Sequence, residues 1–256
     1  DKAVKTIFFF VGVIILFVFL GNMYFGDFLS PQGGIFLSQD KGSSWQQFGE
    51  VSSGTKLSRI DSIEISSNPK DPRILYLGTF NNGIFKSVDG GASWHKLSDR
   101  NGILDARANV YSIAADPAFP DYQKKIPDKF YIGVLQNKTG KILKTEDGGV
   151  SFREVYVSPK PNMAVFSVEI DPRSPNIVWA GTADGLLIKS KDYGETWKLV
   201  QEFGTSISSL ILNPSNPGMM FIGSFSGGIF SSSDGGTNWI DESEGLKTYP
   251  NARYLE

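Results

Sequence analysis

The sequence predicts an all-β protein built from repeated four-stranded antiparallel units, and three observations carry that prediction. First, one skeleton recurs five times: Ser38-x-Asp40-x-Gly42-x-x-Trp45, Ser87-x-Asp89-x-Gly91-x-x-Trp94, Thr145-x-Asp147-x-Gly149-x-x-Phe152, Ser190-x-Asp192-x-Gly194-x-x-Trp197 and Ser232-x-Asp234-x-Gly236-x-x-Trp239. Second, a short apolar run precedes each copy, such as Gly83-Ile84-Phe85, and a strand-like piece follows, such as Trp94-His95-Lys96-Leu97. Third, successive copies lie 49, 58, 45 and 42 residues apart, a period that holds four short strands.

In chain order, residues 6–26 come first and carry no charge, with IFFFVGVIILFVFL at their centre. About 20 such residues span a bilayer as a helix. Lys2 and Lys5 precede them and Asp27 follows, so the positive-inside rule puts the N-terminus in the cytoplasm and the repeats outside, in a periplasm, lumen or extracellular space. A cleaved signal peptide is the competing reading, but GNMYFG is a poor cleavage site. The first residue is Asp, so the N-terminus of the translated product is expected further upstream. The expected division is 1–27 as cytoplasmic stub and transmembrane anchor, 28–33 as linker and 34–256 as repeat domain.

Residues 34–48 supply the last two strands of a unit. The next unit is complete: 58–66 alternates through Ile60, Ser62, Ile63 and Ile65, a Pro-rich turn follows, and strands are expected at 74–79, 83–87 and 94–97. The same order returns at 110–155, 165–200 and 207–240. Strand two of each ends in a small residue, as in Phe130-Tyr131-Ile132-Gly133 and Val178-Trp179-Ala180-Gly181, which allows close packing beside the next unit. Residues 251–255 offer one more first strand, which would close a ring of five; a larger, truncated ring fits equally.

Each recurring motif reads as a hairpin turn. The Asp accepts backbone N–H groups a residue or two ahead, the Gly supplies a positive φ, the hydroxyl bonds facing backbone and the ring covers the turn. Asp40, Asp89, Asp147, Asp192 and Asp234 are thus structural rather than catalytic. The ligand ladder of a calcium loop is missing around them, so no metal and no cofactor is expected.

The pattern resembles the Asp-box, or BNR repeat, of sialidases, sortilin-type receptors, certain xyloglucanases and the photosystem II assembly factor of cyanobacteria and chloroplasts. The resemblance covers nearly everything after Gly33 and implies that the units are blades of a β-propeller. The assembly-factor branch is the most similar, through segments such as Asn68-Pro69-Lys70-Asp71-Pro72 and Asp171-Pro172-Arg173-Ser174-Pro175-Asn176. A role in photosynthesis is an open implication.

Composition narrows the function. There is no Cys, so disulfides, thiolate metal sites and Cys nucleophiles are excluded. The net charge of −2 gives no reason to expect nucleic acid. In a blade, the links from strand two to three and from strand four onward share the face opposite the recurring turns. That face is expected to bind partners through Phe80, Asn81, Asp99, Arg100, Arg107 and Phe225, the middle three lying on the long link 98–109. The insertion 118–128 falls on the turn face. A sialidase-like site needs an Arg triad, a Tyr–Glu pair and a Phe/Tyr-Arg-Ile-Pro string, which is absent, and His95, on a strand after a recurring Trp, shows no Ser or carboxylate in sequence that would make it a catalytic base. The expectation is a membrane-anchored, extracytoplasmic, non-catalytic propeller that binds a membrane protein or complex as scaffold, assembly factor or accessory subunit. The alternative is a glycoside hydrolase, sialidase-like or xyloglucanase-like, or a carbohydrate-binding propeller.

Overall fold

The computed structural model describes residues 35–244 except 39, 49, 52–58, 66–72, 118–127 and 227. Segments 6–26 and 251–255 lie outside them, as does most of the insertion 118–128. Among the described residues no helix is long and apolar enough to cross a membrane.

The described chain is all-β. Strands β1 (Ile35–Leu37) and β2 (Gln46–Phe48) form the expected half blade. Three four-stranded antiparallel sheets are β8 to β11 (Asn109–Ala115, Phe130–Gln136, Thr139–Thr145, Arg153–Pro161), β12 to β15 (Val165–Ile170, Val178–Thr182, Leu186–Ser190, Lys198–Glu202) and β16 to β19 (Ile207–Leu212, Met220–Ser224, Gly228–Ser232, Ile240–Asp241). The remaining sheet holds β4 to β7 (Ile60–Ile65, Leu75–Thr79, Gly83–Ser87, Ser93–Lys96). A fifth member joins it: β3 (Glu50–Val51) runs parallel to the outer edge of β7, pairing Glu50 with Ser93 and Val51 with Trp94. Nothing in the alternation of 46–51 predicts this pairing. An outer strand offers unpaired N–H and C=O groups, and the chain uses them.

We number the blades one to five from β1. Their first strands, β4, β8, β12 and β16, lie side by side around an axis, the arrangement of a β-propeller. The core lies between sheets. Tyr76, Ile84, Val110 and Phe130 fill the seam between blades two and three; Tyr131, Ile142, Val165 and Val178 fill the next; Trp179, Leu187, Ile207 and Met220 fill the last. Close approach at the axis explains the glycine at the fourth position of β9 and of β13, although β9 does not end there but runs on to Gln136. A Cβ on Gly133 would stand 2.7 Å from the Val165 carbonyl oxygen, and one on Gly181 only 2.3 Å from Ile207 Cγ2. Serines then lock neighbouring first strands: Ser112 Oγ accepts the Val168 N–H at 3.0 Å and Ser167 Oγ accepts the Leu210 N–H at 3.2 Å.

The recurring turns are closed more fully than expected. In the second, Ser87 Oγ donates to Asp89 Oδ1 at 2.7 Å and accepts the Gly91 N–H at 2.8 Å. Asp89 Oδ1 accepts the Ser93 N–H at 2.9 Å and Oδ2 the Ser93 hydroxyl at 2.5 Å. The carboxylate therefore reaches four residues ahead, because the intervening glycine turns that N–H back toward it. Ser44, Ser151, Thr196 and Asn238 repeat the role of Ser93. The polar residue before each aromatic was legible in all five copies. These bonds hold Asp40, Asp89, Asp192 and Asp234 at about 2, below the carboxylate norm of 3.8.

Candidate functional site

The site grows from one irregularity repeated four times. Each first strand slips register against its neighbour near its start, between Ile60 and Ser62, Val110 and Ser112, Val165 and Ser167, and Ile207 and Ser209. A bulge leaves its extra residue unpaired and re-aims the side chain. The four extra residues, Asp61, Tyr111, Phe166 and Ser208, all line one cleft of about 370 Å³ at the axis. It opens on the face opposite the recurring turns, where first strands begin. Phe80 and Phe225 complete it from the strand-two links of blades two and five. Both are placed by the same bond to the preceding bulge: the Phe80 N–H donates to the Arg59 carbonyl at 3.0 Å and the Phe225 N–H to that of Ser206 at 3.2 Å.

Three rings touch in series. Tyr111 meets Phe166 edge-on at 4.9 Å, and Phe166 meets Phe225 at 5.4 Å. Across the cleft the Arg59 guanidinium lies 4.2 Å over the Phe80 ring and forks onto Asp61, Nε to Oδ1 at 2.7 Å and Nη2 to Oδ2 at 3.1 Å. Burial raises the Tyr111 phenol, so its hydroxyl stays protonated and available as a donor. The cleft thus offers ring surface for flat apolar faces and a charged fork with a hydroxyl for polar edges, a combination suited to one small or chain-like ligand. Further along the same strands stand two acids. Burial pushes Glu64 up to about 7, against an N–H bond from Ala115, and pushes Glu169 up to about 8, helped by the charge of Glu64.

Of the residues singled out from sequence, Phe80 and Phe225 line the cleft. Asn81 sits beside it with φ 58° and donates its N–H to Asn109 Oδ1 at 2.7 Å. The link 98–109 lies elsewhere than expected: its first half runs against the third recurring turn. Arg100 N–H donates to the Val150 carbonyl at 2.9 Å, and the Asp99 carboxylate accepts N–H groups of Asn101, Ile103, Leu104 and Phe152. Asp99 is therefore committed to holding the link down. Arg100 and Arg107 are exposed along the seam and do not line the cleft. Tyr111 and Phe166 are not singled out by the sequence because strict alternation gives no sign of a bulge; their common place after a β-branched residue near the start of each first strand is the available clue.

No protein-family model matches the chain. It is 31% identical over 162 residues to the xyloglucanase Xgh74A of Acetivibrio thermocellus, a match covering 55% of this chain and 18% of that protein. It is similar in structure to the GH74 xyloglucanase of Xanthomonas campestris, with TM-score 0.55, 15% identity, and 72% and 30% of the two chains covered. It is likewise similar to YCF48 from Cyanidioschyzon merolae, with TM-score 0.50, 16% identity, and 72% and 56% covered. The chain thus spans about a fifth of the length of the curated relative. The expectation of a protein without catalytic function is overturned here, because the relatives that share sequence with the chain are named xyloglucanases. The solved neighbours are β-propellers, and that likeness establishes the fold alone.

Proposed function

We propose that this chain is part of a glycoside hydrolase of the xyloglucanase kind and that its axial cleft holds sugar rings of a β-glucan. The observation that supports this reading most is the set of four equivalent bulges. They turn Tyr111 and Phe166, with Asp61 and Ser208, into one cleft whose remaining rings are Phe80 and Phe225. Sugar rings present apolar C–H faces and polar edges; aromatic side chains take the first, and Asp61, Arg59 and the Tyr111 hydroxyl take the second. The sequence likeness to Xgh74A supplies the polysaccharide class. In this reading residues 6–26 tether the propeller outside the cytoplasm, where a polymer is reached.

Calorimetry with a xyloglucan oligosaccharide and a reducing-end assay on xyloglucan test it. Binding by the parent and at least about tenfold weakening in Phe166→Ala with Phe225→Ala, a loss of about 1.4 kcal/mol, are expected. A folded parent that binds neither xyloglucan nor unbranched β-glucan chains overturns the reading.

A further inference from the structure

Strand three of blades two, three and four carries a lysine just before its recurring turn: Lys86, Lys144 and Lys189. Each ammonium lies over the ring of its neighbour on strand two, at 5.1 Å from Tyr76, 5.5 Å from Tyr131 and 4.1 Å from Trp179. In the first two cases it also clasps the next blade. Lys86 Nζ donates to the Gly148 carbonyl at 3.4 Å and Lys144 Nζ to that of Tyr193 at 3.2 Å. Lys189 has no such acceptor among the described residues.

The charges around the clasp differ in the same way. Between blades three and four, Lys144 pairs with Glu146 at 3.0 Å, and Arg153 pairs with Glu195 of the next turn. Between blades four and five, Lys191 stands where Glu146 would be, Lys198 where Arg153 would be, and Thr237 where Glu195 would be. Two carboxylates are gone and one cation is added. Lys189, Lys191 and Lys198 form no ion pair among the described residues. They border a cleft of about 530 Å³ together with Trp179, Leu199 and the 235–237 turn, and no carboxylate lines it. Asp171 reaches Lys189 only at a distance, and its Oδ1 already accepts the N–H groups of Arg173 and Ser174.

The cleft adjoins an edge that no strand among the described residues pairs. β15 is the outer strand of blade four, and its Leu199 side chain is 53% exposed. The matching edge of blade two is not open, because β3 lies along it as a parallel strand. This molecule therefore already shows what an outer edge of its blades accepts.

We propose that the seam between blades four and five docks an extended acidic segment of a partner protein. The segment adds a strand along β15 and sets its carboxylates among Lys189, Lys191 and Lys198. Main-chain bonds to the edge supply affinity and the lysines select for acidic side chains. Burial lowers the Lys189 ammonium, which an approaching carboxylate would reverse. The proposal is independent of the glycan reading, since the two sites lie on opposite faces.

The probe is a short labelled peptide of alternating Glu and Val, followed by fluorescence anisotropy at low salt on the full chain. The parent is expected to bind it and to lose it as salt rises. Lys191→Glu with Thr237→Glu restores the pairing of the preceding seam, so the variant keeps its fold; binding should weaken at least tenfold, about 1.4 kcal/mol. Replacing a central Glu-Val pair by Pro-Pro removes an N–H from both edges of the peptide, so strand addition is interrupted in either register and binding should be abolished. No binding by the parent, undiminished binding by the double variant, or full binding of the Pro peptide overturns the proposal. So does capture of polygalacturonate in place of the peptide, which would make the seam a site for acidic glycan. Xyloglucan binding unchanged in the double variant keeps the two sites distinguishable.

Discussion

Replacing Glu169 by Gln should stabilise the protein at alkaline pH and leave it unchanged in acid. Glu169 lies on β12 among the first strands and makes no hydrogen bond or ion pair among the described residues. Burial, then the charge of Glu64, raises its pKa from 4.5 to about 8. A raised acid is protonated in the folded state while its unfolded counterpart is ionised, so the folded chain binds the extra proton. Stability is therefore greatest below pH 4.5 and falls until the pH passes about 8. Each unit between those limits corresponds to about 1.4 kcal/mol, giving an upper bound of about 5 kcal/mol. The residue as a whole keeps some solvent exposure, which screens the charge, so about 3 kcal/mol is the expected cost at pH 8. Gln has the same shape and no charge to lose. With a urea slope of about 2–3 kcal/mol/M, the midpoint of Glu169→Gln should exceed the parent's by about 1 M at pH 8. At pH 4.5 the two should nearly coincide, apart from the amide's own small burial cost. Circular dichroism during urea titration at the two pH values measures both. Equal midpoint differences at pH 4.5 and pH 8 would refute the argument, because the effect would then not involve ionisation.

Two further outcomes rest on the geometry and one on the sequence of residues 6–26. Asp99→Ala should cost about 2–3 kcal/mol in thermal unfolding, since the N–H groups of Ile103, Leu104 and Phe152 lose their acceptor; an unchanged melting temperature contradicts that role. On the acid side, Asp40, Asp89, Asp192 and Asp234 are held at about 2, so the stability they add is present above their ordinary 3.8 and lost as the pH falls toward 2. The melting temperature should accordingly peak near pH 4–5, and a flat profile from pH 4 to 2 would argue against the turn networks as drawn. Protease added to spheroplasts should digest the repeat domain if residues 6–26 anchor it with the N-terminus inside, whereas protection until lysis would reverse that topology.

Most strands were legible because they are local. Glycine, proline and the recurring Asp mark their ends, and 83–87 and 94–97 differ from β6 and β7 by at most a residue. Phe80 and Phe225 stand out in the sequence because each follows a strand-two core directly, and both line the axial cleft. Tyr111 and Phe166 do not stand out, because only the register between two strands, a long-range property, places them on the axis. The pairing of β3 with β7 was hidden for the same reason: two residues carry no periodicity of their own. The charge contrast between Glu146 and Lys191 was visible letter by letter, yet it acquires meaning only once Lys189 is seen above Trp179 beside the fifth turn. The likeness to Xgh74A extends over 162 residues of the chain, well beyond any single copy of the recurring turn.

The seams divide labour between axle and rim. Near the axis, Gly181 against Ile207 and Ser167 against Leu210 leave no room for exchange, since an added methyl there would collide and a lost hydroxyl would strand an N–H. At the rim, the positions of Glu146 and Glu195 have become Lys191 and Thr237 while the sheet behind them kept its pairing. A repeat protein of this kind can therefore diversify blade by blade from the outside inward. Its hub preserves the common gauge of the wheel, and each spoke is at liberty to learn a different touch.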